Sequence, residues 1–277
     1  MPANPLPPPD SGPASAFQPG QTVLFIGDHT SPDEPGYVGV ISTVLERFHP
    51  RLKLNLISAG SRGQSAAGLR SPGMLEILTS SRPDWLVVGI GLADAAREPD
   101  AVRLLREHRD SAGRADETLE ATFGPEYRSD YQGSGGMSEA RGSRASDSAN
   151  DPRPPAFTLT RLASFSTNVD EALTHLSAAG VRPILMTTTL FDNDLDNPAN
   201  QVLGAYNKAI RDLARRQDTP LVDVERAFIA VHDRAANYKQ RAQLAGPDGR
   251  LLAQGQSLLA RTFLGTLGLL PGPGSRR

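Results

Sequence analysis

Short runs rich in valine, isoleucine and leucine alternate along this chain with longer segments in which apolar residues recur every three or four positions. The first pattern is typical of buried strands and the second of amphipathic helices. We predict strands at residues 23–26, 52–57, 85–90, 182–186 and 220–224. We predict helices at residues 36–48, 72–80, 161–179 and 200–216, and a last one near 253–267. This alternation favours an α/β domain in which helices cover a five-stranded parallel sheet.

Two long parts of the chain lack both patterns. Residues 1–20 are rich in Pro, Ser and Gly, and residues 98–155 mix charges of both signs with Gly and Ser. Neither part has enough large apolar residues to offset the entropy that ordering would cost. We therefore predict a disordered leader at 1–20, a disordered tail at 271–277, and a single domain at 21–270 that a low-complexity insertion at 98–155 interrupts.

The middle of the predicted insertion contains three aromatic residues at helix-like spacing, Phe123, Tyr127 and Tyr131. Such a segment suits docking on the domain or on a protein partner. A transiently helical part of a linker is the simpler interpretation. The insertion is therefore a candidate protein-interaction segment, and its partner is unknown.

Charge and composition exclude several classes of function. The formal net charge is −2 and the pI is near 6.2, which argues against a nucleic-acid partner. The absence of cysteine excludes disulfides, thiolate nucleophiles and cysteine-based zinc sites. No stretch is apolar for long enough to span a bilayer, and the start of the chain lacks the pattern of a secretory signal. We expect a cytoplasmic protein without a cofactor.

Ligands of open parallel sheets bind beyond the carboxyl ends of the strands. Four loops of the sequence meet this condition. They are "GDHT" at 27–30, "SAGSRGQSA" at 58–66, "GIGLADAARE" at 89–98 and "GPDGRLLAQGQ" at 246–256.

These loops stand in a characteristic order with further motifs. Those motifs are "GYVGVISTVLERF", "RPDWLVVGIGLAD", "RPILMTTTLF", "YNKAIRDLA" and "LVDVERAF". The ordered set resembles the SGNH/GDSL hydrolases from about residue 21 to 269, apart from the insertion. The resemblance implies a three-layer, doubly wound, flavodoxin-like fold. It also implies the hydrolysis of ester or acetyl groups by a serine that follows Gly-Asp in the first loop.

The resemblance also implies a role for individual positions, and three of them are altered. His29 stands where the family has its serine, Ala93 where it has an oxyanion-binding Asn, and Leu251 where it has the basic His. A glycine of the second loop, Gly60 or Gly63, matches the remaining oxyanion donor. Asp28, Asp94 and Asp248 are retained, and the family uses the first two mainly to hold loop backbones through hydrogen bonds.

The replacements bear directly on the mechanism, because a serine esterase needs a hydroxyl and a base that deprotonates it. We therefore expect a degenerate family member, a pseudoenzyme that binds a small molecule or a protein at the former active site. In this interpretation, His29 is a partly buried residue held by hydrogen bonds.

Two alternatives remain open. His29 and Asp248 form a dyad that activates water in the first, which is an ester hydrolase with altered machinery. In the second, Asp28, His29, Asp94 and Asp248 bind a metal ion, because their side chains are suitable ligands. We rank the metal site last and predict none.

Overall fold

The computed structural model describes residues 17–27, 36–60, 63–97, 156–191, 193–195, 197, 199–237, 242–246 and 250–270. Within these ranges, the side chains at 156–160, 199 and 236–237 are not described. The predicted insertion, the predicted tail and most of the predicted leader lie outside these ranges. Residues 17–20 of the leader are described, and Phe17 is buried with its ring 5.2 Å from that of Trp85.

Five parallel strands form the sheet. They are β1 (Thr22–Gly27), β2 (Asn55–Ser58), β3 (Trp85–Gly89), β4 (Arg182–Met186) and β5 (Leu221–Val222). Their order across the sheet is β2-β1-β3-β4-β5. This is the doubly wound, flavodoxin-like order that the sequence predicts.

Helices cover both faces of this sheet. The described helices are α1 (Gly36–Phe48), α2 (Pro72–Ser81), α3 (Leu92–Ala96), α4 (Ala156–Ala178), α5 (Ala199–Arg216), α6 (Val224–Asn237) and α7 (Ala253–Thr266). A 3₁₀-helix at Ala66–Arg70 precedes α2. None of the helices in the described ranges combines the length and the apolar character needed to cross a bilayer.

The alternation of side chains along each strand divides the core into two layers. On β1, Leu24 and Ile26 face a cluster that includes residues of α2 to α5, while Val23 and Phe25 face a cluster with α1, α6 and α7. All five residues of β3 are buried. Since a central parallel strand is covered on both faces, a continuous apolar run is what such a strand requires. The predicted three-layer α/β fold is confirmed.

The strand order reverses between β1 and β3, and the two strands approach closely where they end. Gly27 pairs with Gly89. A Cβ atom at Gly27 would lie 2.2 Å from the carbonyl oxygen of Gly89, so only glycine fits there. Binding sites of doubly wound sheets lie at this reversal point, which locates the candidate site.

Two predicted strands differ from the structure by more than one residue at an end. The second begins at Asn55 and not at residue 52, because residues 49–53 form a turn in which Lys53 adopts a left-handed backbone with φ 44°. The fifth is limited to two residues, because Asp223 already begins the next helix. The Asp223 carboxylate accepts a hydrogen bond from Arg226 N at 3.3 Å, as an N-terminal helix cap does.

Helix α6, the short helix α3 and the 3₁₀-helix are absent from the predictions. The sequence did contain a signal for α6. Apolar residues at helical spacing follow the capping Asp223, namely Val224, Phe228 and Val231. The other two have only five residues each, too few for a periodic pattern.

Charged side chains hold the end of the short strand β5. Arg211 of α5 donates to Asp223 at 2.9 and 2.7 Å and to Glu225 at 2.6 Å. Although burial raises the pKa of Asp223, the hydrogen bonds from Arg211 outweigh it and the pKa is lowered. Thr187, just after β4, accepts from Glu225 N at 3.0 Å, so the network joins the carboxyl ends of β4 and β5.

Candidate functional site

The first candidate loop follows β1. That strand ends at Gly27, and α1 begins at Gly36. Asp28 and His29 lie between them, outside the described residues, so their proposed roles stay predictions. The described ends nevertheless place the loop at the reversal point of the sheet, beside the end of β3.

The second loop carries both glycines proposed as oxyanion donors. Ala59 N still donates to Phe25 O at 2.9 Å, so the chain runs beside β1 until it reaches the buried Gly60. Gly63 has φ 77°, a left-handed conformation that favours glycine. Turns of this kind can direct backbone N–H groups toward an anion. Residues 61 and 62 are not described.

The third loop turns sharply into α3. Gly91 has φ 126°, and a Cβ atom there would lie 3.2 Å from Cγ2 of Thr188. Ala93 follows in the first turn of α3 and is 2% exposed. Its methyl group cannot donate a hydrogen bond, so residue 93 offers no side-chain donor; its match to the family's Asn stays a prediction.

Asp94 joins the third loop to the second. Both of its carboxylate oxygens accept from Ala66 N, at 3.2 and 3.0 Å. Burial raises the pKa of Asp94 to about 6, although the Ala66 hydrogen bond and the charge of Arg97 act to lower it. Asp94 therefore titrates close to neutral pH.

Arg97 adds a second link between the same loops. Its Nη2 donates to Gly63 O at 3.1 Å, while its backbone N donates to Ala93 O at 3.3 Å. Sequence reasoning missed this residue. The available signal was its position three residues after Asp94, which puts both side chains on one side of a helical turn. Together, Asp94 and Arg97 fix the loop that contains Gly63.

Asp248 lies outside the described residues, but the chain on both sides of it is well defined. Gly246 N donates to Arg250 O at 2.7 Å, and Leu252 N donates to Leu244 O at 2.9 Å. Ala245 and Leu251 pair as an antiparallel bridge. These contacts join residues 244–246 to residues 250–252 as the two arms of a hairpin. The role proposed for Asp248, between the arms, stays a prediction.

Asn193, from the loop after β4, holds this hairpin. Its Oδ1 accepts from Leu244 N at 2.8 Å and from Ala245 N at 2.9 Å, and its Nδ2 donates to Ala245 O. A single amide side chain thus binds the backbone of two consecutive residues. The sequence placed Asn193 in this loop but did not indicate its role.

Leu251, which the resemblance matches to the family's basic His, is an apolar side chain of the core, and that match stays a prediction. Leu251 is 5% exposed and belongs to the core cluster on the α1–α6–α7 face. Its Cδ2 would lie 3.3 Å from a Cβ atom at Gly255, and Leu244 O would lie 2.0 Å from the same Cβ. The hairpin therefore packs directly on α7, and Leu251 occupies the space between them.

The metal-site alternative stays untested, because most of its residues lie outside the described ranges. No group of three or more His, Asp or Glu residues there could hold a metal ion. Of the four proposed ligands, only Asp94 is described, and its carboxylate is hydrogen-bonded to Ala66 N. Among the residues of the candidate site, hydrogen bonds bring together Gly63, Ala66, Asp94 and Arg97.

Comparisons with known proteins agree with this architecture. A family model described as "GDSL-like Lipase/Acylhydrolase family" matches residues 25–244, which is more than half of the chain. The match ends before the turn that contains Asp248. No curated protein matches the sequence significantly.

Several solved structures have the same fold at low sequence identity. Axe2, an acetylxylan esterase from Geobacillus stearothermophilus, has a TM-score of 0.60 and 18% identity, over 91% of this chain and 96% of that one. A catalytic mutant of Axe2 has a TM-score of 0.62 over the same shares of the two chains, also with 18% identity. LAE5, an alpha/beta hydrolase from the metagenome of Lake Arreo, has a TM-score of 0.62 and 19% identity, over 92% and 99% of the two chains.

Proposed function

Because the chain belongs to the GDSL-like lipase/acylhydrolase family, we propose that it binds a ligand at the family's active-site cleft without hydrolysing it as a serine esterase. His29 replaces the nucleophile, Ala93 an oxyanion donor and Leu251 the base. Loss of the nucleophile or base of a catalytic triad lowers turnover on the order of 10⁶-fold, because the members act as one unit. What remains is a scaffold for binding.

The packing of Leu251 carries this proposal. A solvent-accessible base would need an imidazole that points into the cleft, whereas Leu251 is buried against α7. Gly255 supports this arrangement, since any larger residue there would collide with Leu244 O. The position has therefore become part of the core.

The surrounding loops remain suited to binding. Asp94 and Arg97 hold the second loop, which carries Gly63, and Asn193 holds the hairpin around Asp248. Ala93 lacks the side-chain donor whose loss typically costs roughly 10²–10³-fold in turnover. Backbone donors in loops that are held in place favour recognition of a carbonyl compound over its hydrolysis.

The structural neighbours suggest which ligands to test first. Axe2 is an acetylxylan esterase, so we propose acetylated carbohydrates as the first ligand class, with other small molecules or a protein partner as further candidates. Two other expectations stay predictions: a cytoplasmic location and a role in protein interaction for the insertion at 98–155.

Turnover and binding should be measured on the same protein. We expect 4-nitrophenyl acetate and acetylated xylooligosaccharides to be hydrolysed no faster than in a blank. Calorimetric titration should show binding of the acetylated oligosaccharide, with weaker binding of the deacetylated one. A saturable rate that His29→Ala abolishes would contradict the proposal.

An altered hydrolase is the second candidate function. The observation that favours it is the hairpin, which holds the ends of the turn around Asp248 by the Gly246–Arg250 hydrogen bond and the Asn193 amide. In this candidate the Asp248 carboxylate orients the His29 imidazole, which then activates water on an ester or acetyl group. The family resemblance to esterases supports this candidate as well.

Its pH profile distinguishes this candidate from the first. A neutral imidazole is the active form, so the rate should rise with pH through a value near the usual histidine pKa of about 6.5. Asp94 titrates in the same range, with a pKa of about 6. The rise should therefore persist in Asp94→Asn and disappear in Asp248→Asn, and a flat profile would count against the dyad.

A further inference from the structure

A groove lies between α2 and α4 on one face of the sheet, and its lining includes none of Gly63, Ala66, Asp94 and Arg97. Its volume is about 760 Å³, within the range of small-molecule sites. Ile26 of β1 and Leu86 of β3 lie beneath it and are almost completely buried. Met74 and Leu78 of α2 line one wall, and Leu176 of α4 lines the other. The groove is therefore a predominantly apolar channel along α2.

Helix α2 is poorly covered for its composition. Its sequence, PGMLEILTSS, is rich in apolar residues, yet Met74 is the only buried residue of this helix. Leu75, which lines the groove, is 55% exposed. A single exposed leucine is ordinary, but Leu75 lies beside an apolar groove, and an alkyl chain in that groove would remove Leu75 and the apolar lining from water together.

The charged groups along the groove differ at its two ends. Near the 3₁₀-helix, Arg70 forms an ion pair with Glu171 of α4, so its charge is balanced. At the opposite end lies Arg82, just after α2, and its guanidinium forms no ion pair with any described residue. His175 also lines the groove, with Nδ1 2.8 Å from Glu171 O. The described lining contains no carboxylate.

The Arg82 side chain is not needed to cap the two helices that end beside it. The Arg82 backbone N donates to Leu78 O at 3.1 Å. At the end of α4, Val181 N donates to Leu176 O at 2.9 Å. Since backbone groups already satisfy these terminal carbonyls, the guanidinium of Arg82 is available to a ligand.

We propose that this groove binds a free single-chain amphiphile with an anionic head group, whose alkyl chain lies along α2 and whose head group pairs with Arg82. Guanidinium binds carboxylate, sulfate and phosphate groups well because it presents several N–H donors in one plane. The ten residues of α2 extend about 15 Å, which suits a dodecyl chain. This site is separate from the cleft that contains Gly63 and Asp94, so it does not depend on the function proposed above.

A series of dodecyl compounds tests the head group. Dodecanoate, dodecyl sulfate, dodecyl maltoside and dodecyltrimethylammonium should be titrated calorimetrically below their micelle-forming concentrations. We expect both anions to bind at one site, at least roughly tenfold more tightly than the maltoside, with the ammonium weakest. Decanoate should bind roughly tenfold more weakly than dodecanoate, because two methylene groups fewer are buried.

Substitutions with matched controls locate the site. Leu75→Gln should weaken binding of every dodecyl compound several-fold, whereas Leu270→Gln, at another exposed leucine, should not. Arg82→Asn should weaken binding of the anions alone. Lys53→Asn is its control, since Lys53 is also an exposed cation with a left-handed backbone, φ 44° against 42°.

Four results would overturn the proposal. Equal affinity for dodecyl maltoside and dodecanoate would show that an anionic head group does not contribute to binding. Unchanged binding in both Leu75→Gln and Arg82→Asn would show that the compounds bind elsewhere, and no binding at all would show a closed groove. Finally, co-sedimentation with phosphatidylglycerol vesicles, but not with phosphatidylcholine vesicles, would identify a membrane surface instead of a free amphiphile.

Discussion

Asp94 links two loops of the candidate site through a carboxylate whose negative charge is destabilised by burial. Its carboxylate holds Ala66 N, yet burial raises its pKa from 3.8 to about 6. Between these values the folded protein binds more protons than the unfolded chain, so the free energy of unfolding falls as pH rises. The ionised form at neutral pH is thus the less stable one, although it links two loops of the candidate site.

We expect Asp94→Asn to remove this pH dependence. The amide keeps an oxygen acceptor for Ala66 N but carries no charge. Relative to the native protein, the variant should gain up to about 3 kcal/mol in free energy of unfolding between pH 4 and pH 7. Urea denaturation at several pH values measures this difference.

Asp84→Asn is a matched control for this experiment. The Asp84 carboxylate also accepts a hydrogen bond from a backbone group, Thr22 N, at 2.8 Å, but it lies at the opposite ends of the strands. The control should keep the pH dependence that Asp94 contributes. If the free energy of unfolding changed equally with pH in the native protein and in Asp94→Asn, this interpretation would be wrong.

At the scale of elements, the long patterns of the sequence predicted the fold well. Strand β4 has the predicted bounds, and α1 does as well. Errors arose where backbone geometry overrides the apolar pattern, as at Lys53, whose left-handed conformation delays β2. Helix α6 was missed because the apolar residues of β5 run into those of the helix, and only the cap at Asp223 separates them.

The candidate site was predictable as a set of loops but not as a set of contacts. Parallel strands bring their carboxyl ends to one edge, so the loops that contain Gly63 and Asp94 had to be neighbours. The links made by Arg97 and Asn193 join residues far apart in sequence, to Gly63 and Ala245 respectively. No local pattern specifies such pairs, and they become visible only when the chain is folded.

The contact between α7 and the hairpin gives a prediction for an element. Alanine normally stabilises a helix relative to glycine. At Gly255, however, a Cβ atom would lie 2.0 Å from Leu244 O, the oxygen that also accepts from Leu252 N. We expect Gly255→Ala to lower the free energy of unfolding by about 1–3 kcal/mol, because the hairpin must move away from α7.

Gly73→Ala provides the comparison within another helix. Gly73 lies in the first turn of α2, and a Cβ atom there would meet nothing within 4 Å. This substitution should be neutral or stabilising, by up to about 1 kcal/mol. Chemical denaturation of both variants checks the contrast. An equal increase in the free energy of unfolding at the two glycines would show that the hairpin can move away from α7 without loss of stability.

For the whole molecule, the proposed loss of serine-esterase activity raises the question of whether the packing around positions 93 and 251 could accept the family's polar side chains. Ala93 and Leu251 are both buried, and Leu251 belongs to one of the two main core clusters. Restoring polar side chains at these positions would therefore disturb the core as well as the site.

The triple variant His29→Ser, Ala93→Asn, Leu251→His addresses this question. The Ala93→Asn and Leu251→His substitutions should each lower the free energy of unfolding by about 1–3 kcal/mol, through overpacking at one position and burial of a polar ring at the other. We expect 4-nitrophenyl acetate turnover to stay at the level of the blank, because an imidazole at 251 would replace a side chain that packs on α7. Chemical denaturation of the single variants shows how much each substitution lowers the free energy of unfolding. Saturable turnover by a stably folded triple variant would show instead that the cleft is intact and that only its side chains had changed.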